Sequence, residues 1–205
     1  GDGYGWLSEL GHTIVPPRPA LVPLVGGYDW TRRLSGLTLD DCVASVYAAD
    51  QRPGKRRPLA SCRSSMLLTH FGLSGPAAMD VSRAVTCVDD PASIEMRLSS
   101  LPDWNQDDFQ SWLAAQRAAA GNRFVWKAIS EILPRRLAVA LVEQAGIESE
   151  RPIGELSSAS ARRLCSELLD ARLPIEGTRG FKKAEVTAGG VSLKEVDPRT
   201  MRSRF

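Results

Sequence analysis

The stretch "LLTHFGLSGPAAMDVSRA", Leu67 to Ala84, joins an apolar strand-like run, a glycine-rich turn and a short helical pattern. Ser65 to His70 reads as a strand. The chain then turns through Gly72-Leu73-Ser74-Gly75, and Pro76 suits the first position of a helix. Ser74 is placed to cap that helix. Gly72 and Gly75 tolerate positive φ and allow close approach of another group. The free amides and positive dipole end at such a helix start suit an anion or an electron-rich ring edge. The plain structural alternative is a capped helix after a strand. His70 stands beside the turn as a candidate general acid. A lone histidine with no visible partner also reads as structural.

A second glycine-bearing stretch lies near the other end. "FKKAEVTAGGVSLKEVD" reads as a strand at Ala184–Val186, a Gly-Gly turn, and a strand at Val191–Leu193. Thr187, Gly189 and Gly190 mark either a tight hairpin or a place where backbone passes close to a cofactor. Such short strands are not stable as an isolated hairpin, so they are expected to join the sheet of the remaining chain.

Between these stretches the period changes. "LTLDDCVASVYA" alternates as a strand, and so does Ile94 to Leu98. "HTIVPPRPALVPLV" carries four prolines, which confine it to edge strand or extended chain. Residues 3–10 read as a short helix closed by Gly11. Asn105 is an N-cap, with Asp107 and Asp108 in the first turn and Phe109, Trp112 and Leu113 as the apolar stripe. "RFVWKAISEIL" continues the helical period to the break at Pro134. The next helix ends at Gly146, and a third begins near Ser157 to Ser160. The fold class expected is α+β, a β-barrel or β-sandwich-like part interrupted by a small helical subdomain. The β-rich domain comprises 12–102 and 174–197, and the helical subdomain 103–173.

A chain of 205 residues is long enough to bury a core. Its net charge of +2 is too small to argue for nucleic acid or an anionic membrane. Lys55-Arg56-Arg57, Arg135-Arg136 and Arg162-Arg163 are scattered and lack interleaved aromatics, which favours solvated surface over an RNA site. Two distant histidines, without carboxylates at ligand spacing, argue against a metal. Asp40-Asp41 and Asp89-Asp90 read as turn residues. Cys42, Cys62, Cys87 and Cys165 have no framework spacing and read as reduced thiols of a cytoplasmic protein. No apolar run approaches the ~20 residues of a membrane span.

Taken together, "GDGYGWLSELGHTIVPPRPALVPL", "LLTHFGLSGPAAMDVSRA" and "GTRGFKKAEVTAGGVSLKEVDPRTMRSRF" resemble the BaiN/RdsA-type NAD(P)/FAD-dependent oxidoreductases, the YhiN-like flavoproteins. The resemblance implies an insert that covers the flavin of a larger protein and helps to form the substrate site. It implies FAD and NAD(P)H in that parent, with no cofactor on this chain alone, because the GxGxxG loop is not in the sequence. It implies a small-molecule or RNA-base substrate whose carbon–carbon double bond is reduced, and the parent's own FAD-binding domain as partner. Residues 1–11 and 198–205 would be connections to that domain. Gly72, Ser74, Gly75, Thr187, Gly189 and Gly190 are the candidate cofactor contacts, expected to share one face. "YAADQRPGKRRPLASCRSSM" departs from the acidic approach more usual in that family. A stand-alone module binding RNA or a protein is the alternative.

Overall fold

A computed structural model describes residues 2–50 and 57–205. The polar loop expected at 50–58, with Lys55 and Arg56, lies mostly outside them.

The chain begins with α1 (Asp2–Glu9), β1 (Ile14–Ala20), β2 (Leu24–Gly26) and α2 (Asp29–Arg33). The long strands β3 (Thr38–Ala48) and β4 (Ala60–Thr69) form the centre of the sheet. β5 (Gly72–Ser74), α3 (Pro76–Thr86) and β6 (Ile94–Ser99) follow. Four helices come next: α4 (Gln106–Ala120), α5 (Val125–Ile129), α6 (Arg135–Gln144) and α7 (Ser158–Leu169). The chain returns as β7 (Ala171–Leu173), β8 (Ile175–Thr178) and β9 (Val186–Val191).

Seven strands make one antiparallel sheet in the order β7-β6-β3-β4-β5-β2-β8. Its two edge strands are separated in sequence by Pro174 alone. The chain therefore steps from one edge of the sheet to the other within one residue, which requires the sheet to roll. Pro174 lacks the amide that would continue a ladder, and its carbonyl accepts from Gly27 N at 2.7 Å. A Cβ on Gly26 would lie 2.3 Å from that carbonyl oxygen, so glycine is needed there. The roll is barrel-like, but its hydrogen-bonded ladder does not close into a barrel.

Register follows burial. Ile94, Met96 and Leu98 of β6 alternate inward, as expected. Asp40 and Asp41 do not form a turn. They occupy a bulge of β3, where the register with β4 slips between Leu39 and Cys42. Both carboxylates thereby reach solvent, while Cys42 returns to the core. Burial pushes the Cys42 thiol up to about 12, and its S–H donates to Ser64 O.

The helical stretch has the signals anticipated for it. Asn105 accepts from Asp107 N and Asp108 N, and Asp108 accepts from Asn105 N, completing a capping box worth ~1 kcal/mol. Pro134 sets the start of α6, and Gly146 takes φ 69° just beyond its end. Ser157 caps α7 through Ser160 N. Arg117 donates to the carbonyls of Ile153 and Leu156, and Arg163 donates to Ala145 O at 2.8 Å. These side chains satisfy carbonyls that the helix ends and loops leave open. Phe109, Leu113, Ile129, Leu137, Leu141 and Leu164 share one core with the sheet.

Candidate functional site

The opening stretch folds differently from its expectation. β4 ends at Thr69, His70 and Phe71 make a two-residue turn, and Gly72–Ser74 is a strand. Thr69 clamps the turn, since its hydroxyl donates to Gly72 O at 2.9 Å and accepts from Gly72 N at 3.1 Å. Ser74 is not the helix cap. Gly75 occupies that position without a side-chain bond, and the Ser74 hydroxyl faces Met79 Sδ at 3.8 Å. β5 must pair on both sides, with Leu24 and Leu68, which draws Ser74 into the sheet.

The second stretch is also different. Gly189 and Gly190, at φ 90° and 101°, do not turn the chain into a hairpin. β9 runs straight through them and pairs with β1, from Ile14↔Val191 to Ala20↔Val186. This ribbon is separate from the seven-stranded sheet.

The glycines have a common explanation in close packing of this chain. A Cβ on Gly72 would lie 2.3 Å from Leu24 O, and one on Gly75 would lie 3.0 Å from Leu67 N. On Gly189 it would lie 2.6 Å from Pro16 O, and Gly190 faces the Tyr4 ring at 3.3 Å. The close approach is made by the chain's own backbone and by Tyr4.

What the ribbon does build is a cleft of about 990 Å³ against α3. One wall is Asp80, Arg83, Ala84 and Cys87; Val186 to Gly189 are on β9, and Leu21 and Leu59 add apolar surface. Arg18 of β1 donates to Thr86 O at 2.6 Å, tying the ribbon to the end of α3. Val22 N donates to the buried Ser82 hydroxyl at 3.2 Å. Between these ties Leu21 is held at φ 46°, a conformation costly for a branched side chain. Val186 and Leu59 are exposed. Arg83 has no carboxylate partner among the described residues. The Cys62 thiol beside this wall is pushed up first by burial and then by the Asp80 carboxylate. The cleft thus offers apolar surface with one guanidinium, Arg83, and one carboxylate, Asp80, on its wall.

Thr187 and Gly189 line this cleft, whereas His70, Gly72, Ser74 and Gly75 do not. Gly75 begins the helix whose later turns form the wall, but Gly75 itself faces β4. His70 is exposed and meets Phe71 edge-on at 5.1 Å; no hydrogen bond reaches its ring among the described residues. Arg83, Asp80 and Cys87 were not anticipated. Their signal is in the sequence: 80, 83, 84 and 87 form one helical face opposite Ala77, Ala78, Val81 and Val85.

His12 has a different role. Its Nδ1 lies 3.0 Å from Glu195 Oε2, its Nε2 3.1 Å from Ser203 Oγ, and its ring meets Phe205 edge-on. This clasp holds the last residues against the first. Backbone and side chain of Thr13 first, then His12, hold the Glu195 carboxyl below its usual range.

No metal-binding group and no helix long and apolar enough to cross a membrane occur among the described residues. A family profile described as the HI0933-like protein barrel and H2TH domain matches residues 18–186. The chain is 28% identical over its whole length to the 3-dehydro-bile acid delta(4,6)-reductase of Clostridium scindens, covering 49% of that protein. It is 31% identical over 98% of its length to the ribosomal RNA dihydrouridine synthase of Escherichia coli, covering 46% of that protein. The Haemophilus influenzae ribosomal RNA dihydrouridine synthase is 28% identical over a similar span. The chain spans about half the length of these curated relatives. With the family match covering most of the rolled sheet and all four helices, the chain belongs to the HI0933-like family, the BaiN/RdsA type, whose relatives here are oxidoreductases.

Proposed function

We propose that this chain is the substrate-side insert of an FAD-dependent oxidoreductase that uses NAD(P)H to reduce a carbon–carbon double bond in a ring. The observation that carries the reading is that one chain aligns over nearly its whole length with two enzymes whose names both describe hydrogenation of a ring double bond. FAD, which supplies hydride chemistry when bound, is held by the parent's own FAD-binding domain, consistent with glycines here that are filled by the chain itself. The cleft beside α3 covers the substrate. Leu21, Leu59 and Val186 exclude water from an apolar ring. Arg83 donates to an oxygen on that ring and orients it; a charge-assisted bond of this kind discriminates by ~1.5–3 kcal/mol. Thr187 and Gly189 line the same cleft. Alone, the chain is colourless and inactive, and the parent is cytoplasmic.

The test uses the longer protein. It should purify with a flavin spectrum and consume NAD(P)H with either a conjugated steroid or uridine-containing ribosomal RNA. Arg83→Gln should raise KM by about tenfold or more, with the flavin content unchanged. Absence of NAD(P)H consumption with both substrates, or a flavin spectrum from the 205-residue chain alone, would sink the reading.

A further inference from the structure

We propose that the start of α6, with Lys127 of α5, forms a contact surface for the phosphate backbone of RNA. The inference rests on the oxidoreductase reading above and concerns its substrate class.

Two arginines, Arg135 and Arg136, open α6, where the helix dipole disfavours cations and where no side chain caps the amides. The first turn holds no acidic residue. Two adjacent cations at a helix start are a locally unfavourable arrangement of the kind that functional surfaces carry. The fold adds what adjacency in sequence did not show. Arg135 lies over the Trp126 ring at 5.0 Å, and Lys127 lies over Trp126 at 5.5 Å and Phe124 at 5.0 Å. The absence of aromatics beside Arg135-Arg136 in the sequence is thus repaired in space. Trp126 is a positioning shelf that holds two cations at one place.

The nearby acids are engaged elsewhere. Glu131 is taken by Arg123, and Glu143 faces Arg33 at 3.8 Å. Arg136 itself reaches across to Arg33 O at 3.1 Å, joining α2 to the patch. Lys127, Arg135 and Arg136 are exposed and have no carboxylate partner among the described residues. Three uncompensated cations around a helix N-terminus attract phosphates.

RNA fits better than an anionic membrane. Surface insertion needs exposed large apolar side chains beside the charges. Among the described residues those lie elsewhere, at Trp6, Leu10, Leu193 and Phe205 among others, and none lies on α4 to α7. An acidic protein would also be attracted by charge, but a row of phosphates matches three exposed cations without requiring an apolar counterpart.

The experiment measures binding of the 205-residue chain to a ribosomal RNA stem-loop across a salt series. Lys127→Gln/Arg135→Gln/Arg136→Gln should lower the magnitude of the log K against log salt slope by about 2, since each released counterion contributes ~0.7. Arg162→Gln/Lys182→Gln/Lys183→Gln removes equal charge away from the patch and should leave the slope nearly unchanged. Trp126→Leu should weaken binding about threefold to tenfold through displaced cations, with the slope retained. Equal loss in both triple variants overturns the proposal, as does binding to phosphatidylserine vesicles without binding to RNA. Failure to bind RNA while the longer protein still reduces the steroid overturns this surface and leaves the oxidoreductase reading standing.

Discussion

The body of the molecule and its ribbon margin obey different rules of burial. From Leu24 to Leu173 the sheet and helices share one core in which Met66, Leu68, Met96 and Phe109 are fully enclosed. The margin comprises α1, β1, β9 and the residues after it. α1 buries nothing, and Trp6, Leu10, Val15, Val186, Leu193, Met201 and Phe205 are all exposed. Single exposed apolar residues are ordinary, but a concentration of them in one region marks a surface that meets something else. The body encloses its own apolar surface, and under the proposed function the margin is where an FAD-binding domain is expected to dock.

The comparison breaks first if the two regions respond alike to truncation. Phe109→Ala in the body should cost ~3–5 kcal/mol and lower the urea midpoint sharply. Trp6→Ala in the margin should change stability by less than ~0.5 kcal/mol in this chain. In the longer protein the same Trp6→Ala should weaken domain packing, read as a lower temperature for flavin release. An equal loss from both substitutions in the isolated chain would erase the distinction.

Gly189→Ala asks how firmly the margin is joined. Its Cβ would press on the carbonyls of Val15 and Pro16 at 2.9 and 2.6 Å, at a φ that disfavours alanine. Opening the β1–β9 ribbon should cost ~1–3 kcal/mol. Amide exchange should rise across β9 and spare β3 and β4. Exchange that rises uniformly would place the ribbon within the cooperative unit of the body.

How much of this was legible follows the same division. The helices were read well because their signals are local: Asn105 with Asp108, Pro134, Gly146 and Ser157 each act within a few residues. The alternation of β6 was equally direct. What failed depended on distant partners. Gly189 and Gly190 read as a turn, because a sequence does not show that β1 lies alongside and needs room. Ser74 read as a cap, because nothing nearby shows that β5 pairs with β2 and β4 and that Ser74 itself pairs with Leu67. β7 was assigned to the helical stretch, since three residues carry no period of their own. Arg83 and Asp80 carry no motif of their own, and only the ribbon folded against α3 shows that their face borders a cleft. Trp126 and Arg135 are nine residues apart, and only the bend between α5 and α6 stacks them.

His12→Ala separates the clasp from the ribbon. Loss of the contacts to Glu195 and Ser203 should free the last residues without unfolding β9. Protection of Asp197 and Arg204, whose amides bond Arg202 O and Glu195 O, should fall about tenfold, the worth of one or two hydrogen bonds. The body should be unaffected. Unchanged protection would mean that Thr13 N, which also donates to Glu195 at 2.9 Å, is the sufficient tie.

The smallest effect belongs to the surface of the body. Arg63 grips Asp41 through two bonds of 2.9 and 2.6 Å and Asp103 through two of 2.6 and 2.8 Å. The hydrogen bonds from Arg63 come first among the causes that hold both carboxyls below the ordinary aspartate range. A depressed folded-state value means that the linked stability is fully present above the unfolded aspartate value of ~3.9 and is lost as pH falls through the folded value. The acid limb of the stability curve should therefore steepen below about pH 4, and Arg63→Gln should flatten it by removing a small stability present at neutral pH, with the two chains converging in acid. Solvent and salt screen this exposed fork, so the difference should shrink in high salt. Urea midpoints at neutral and acid pH, in low and high salt, measure it. A variant whose acid limb matches the parent chain would show that the fork orders the bulge at Asp40 and Asp41 without contributing to stability.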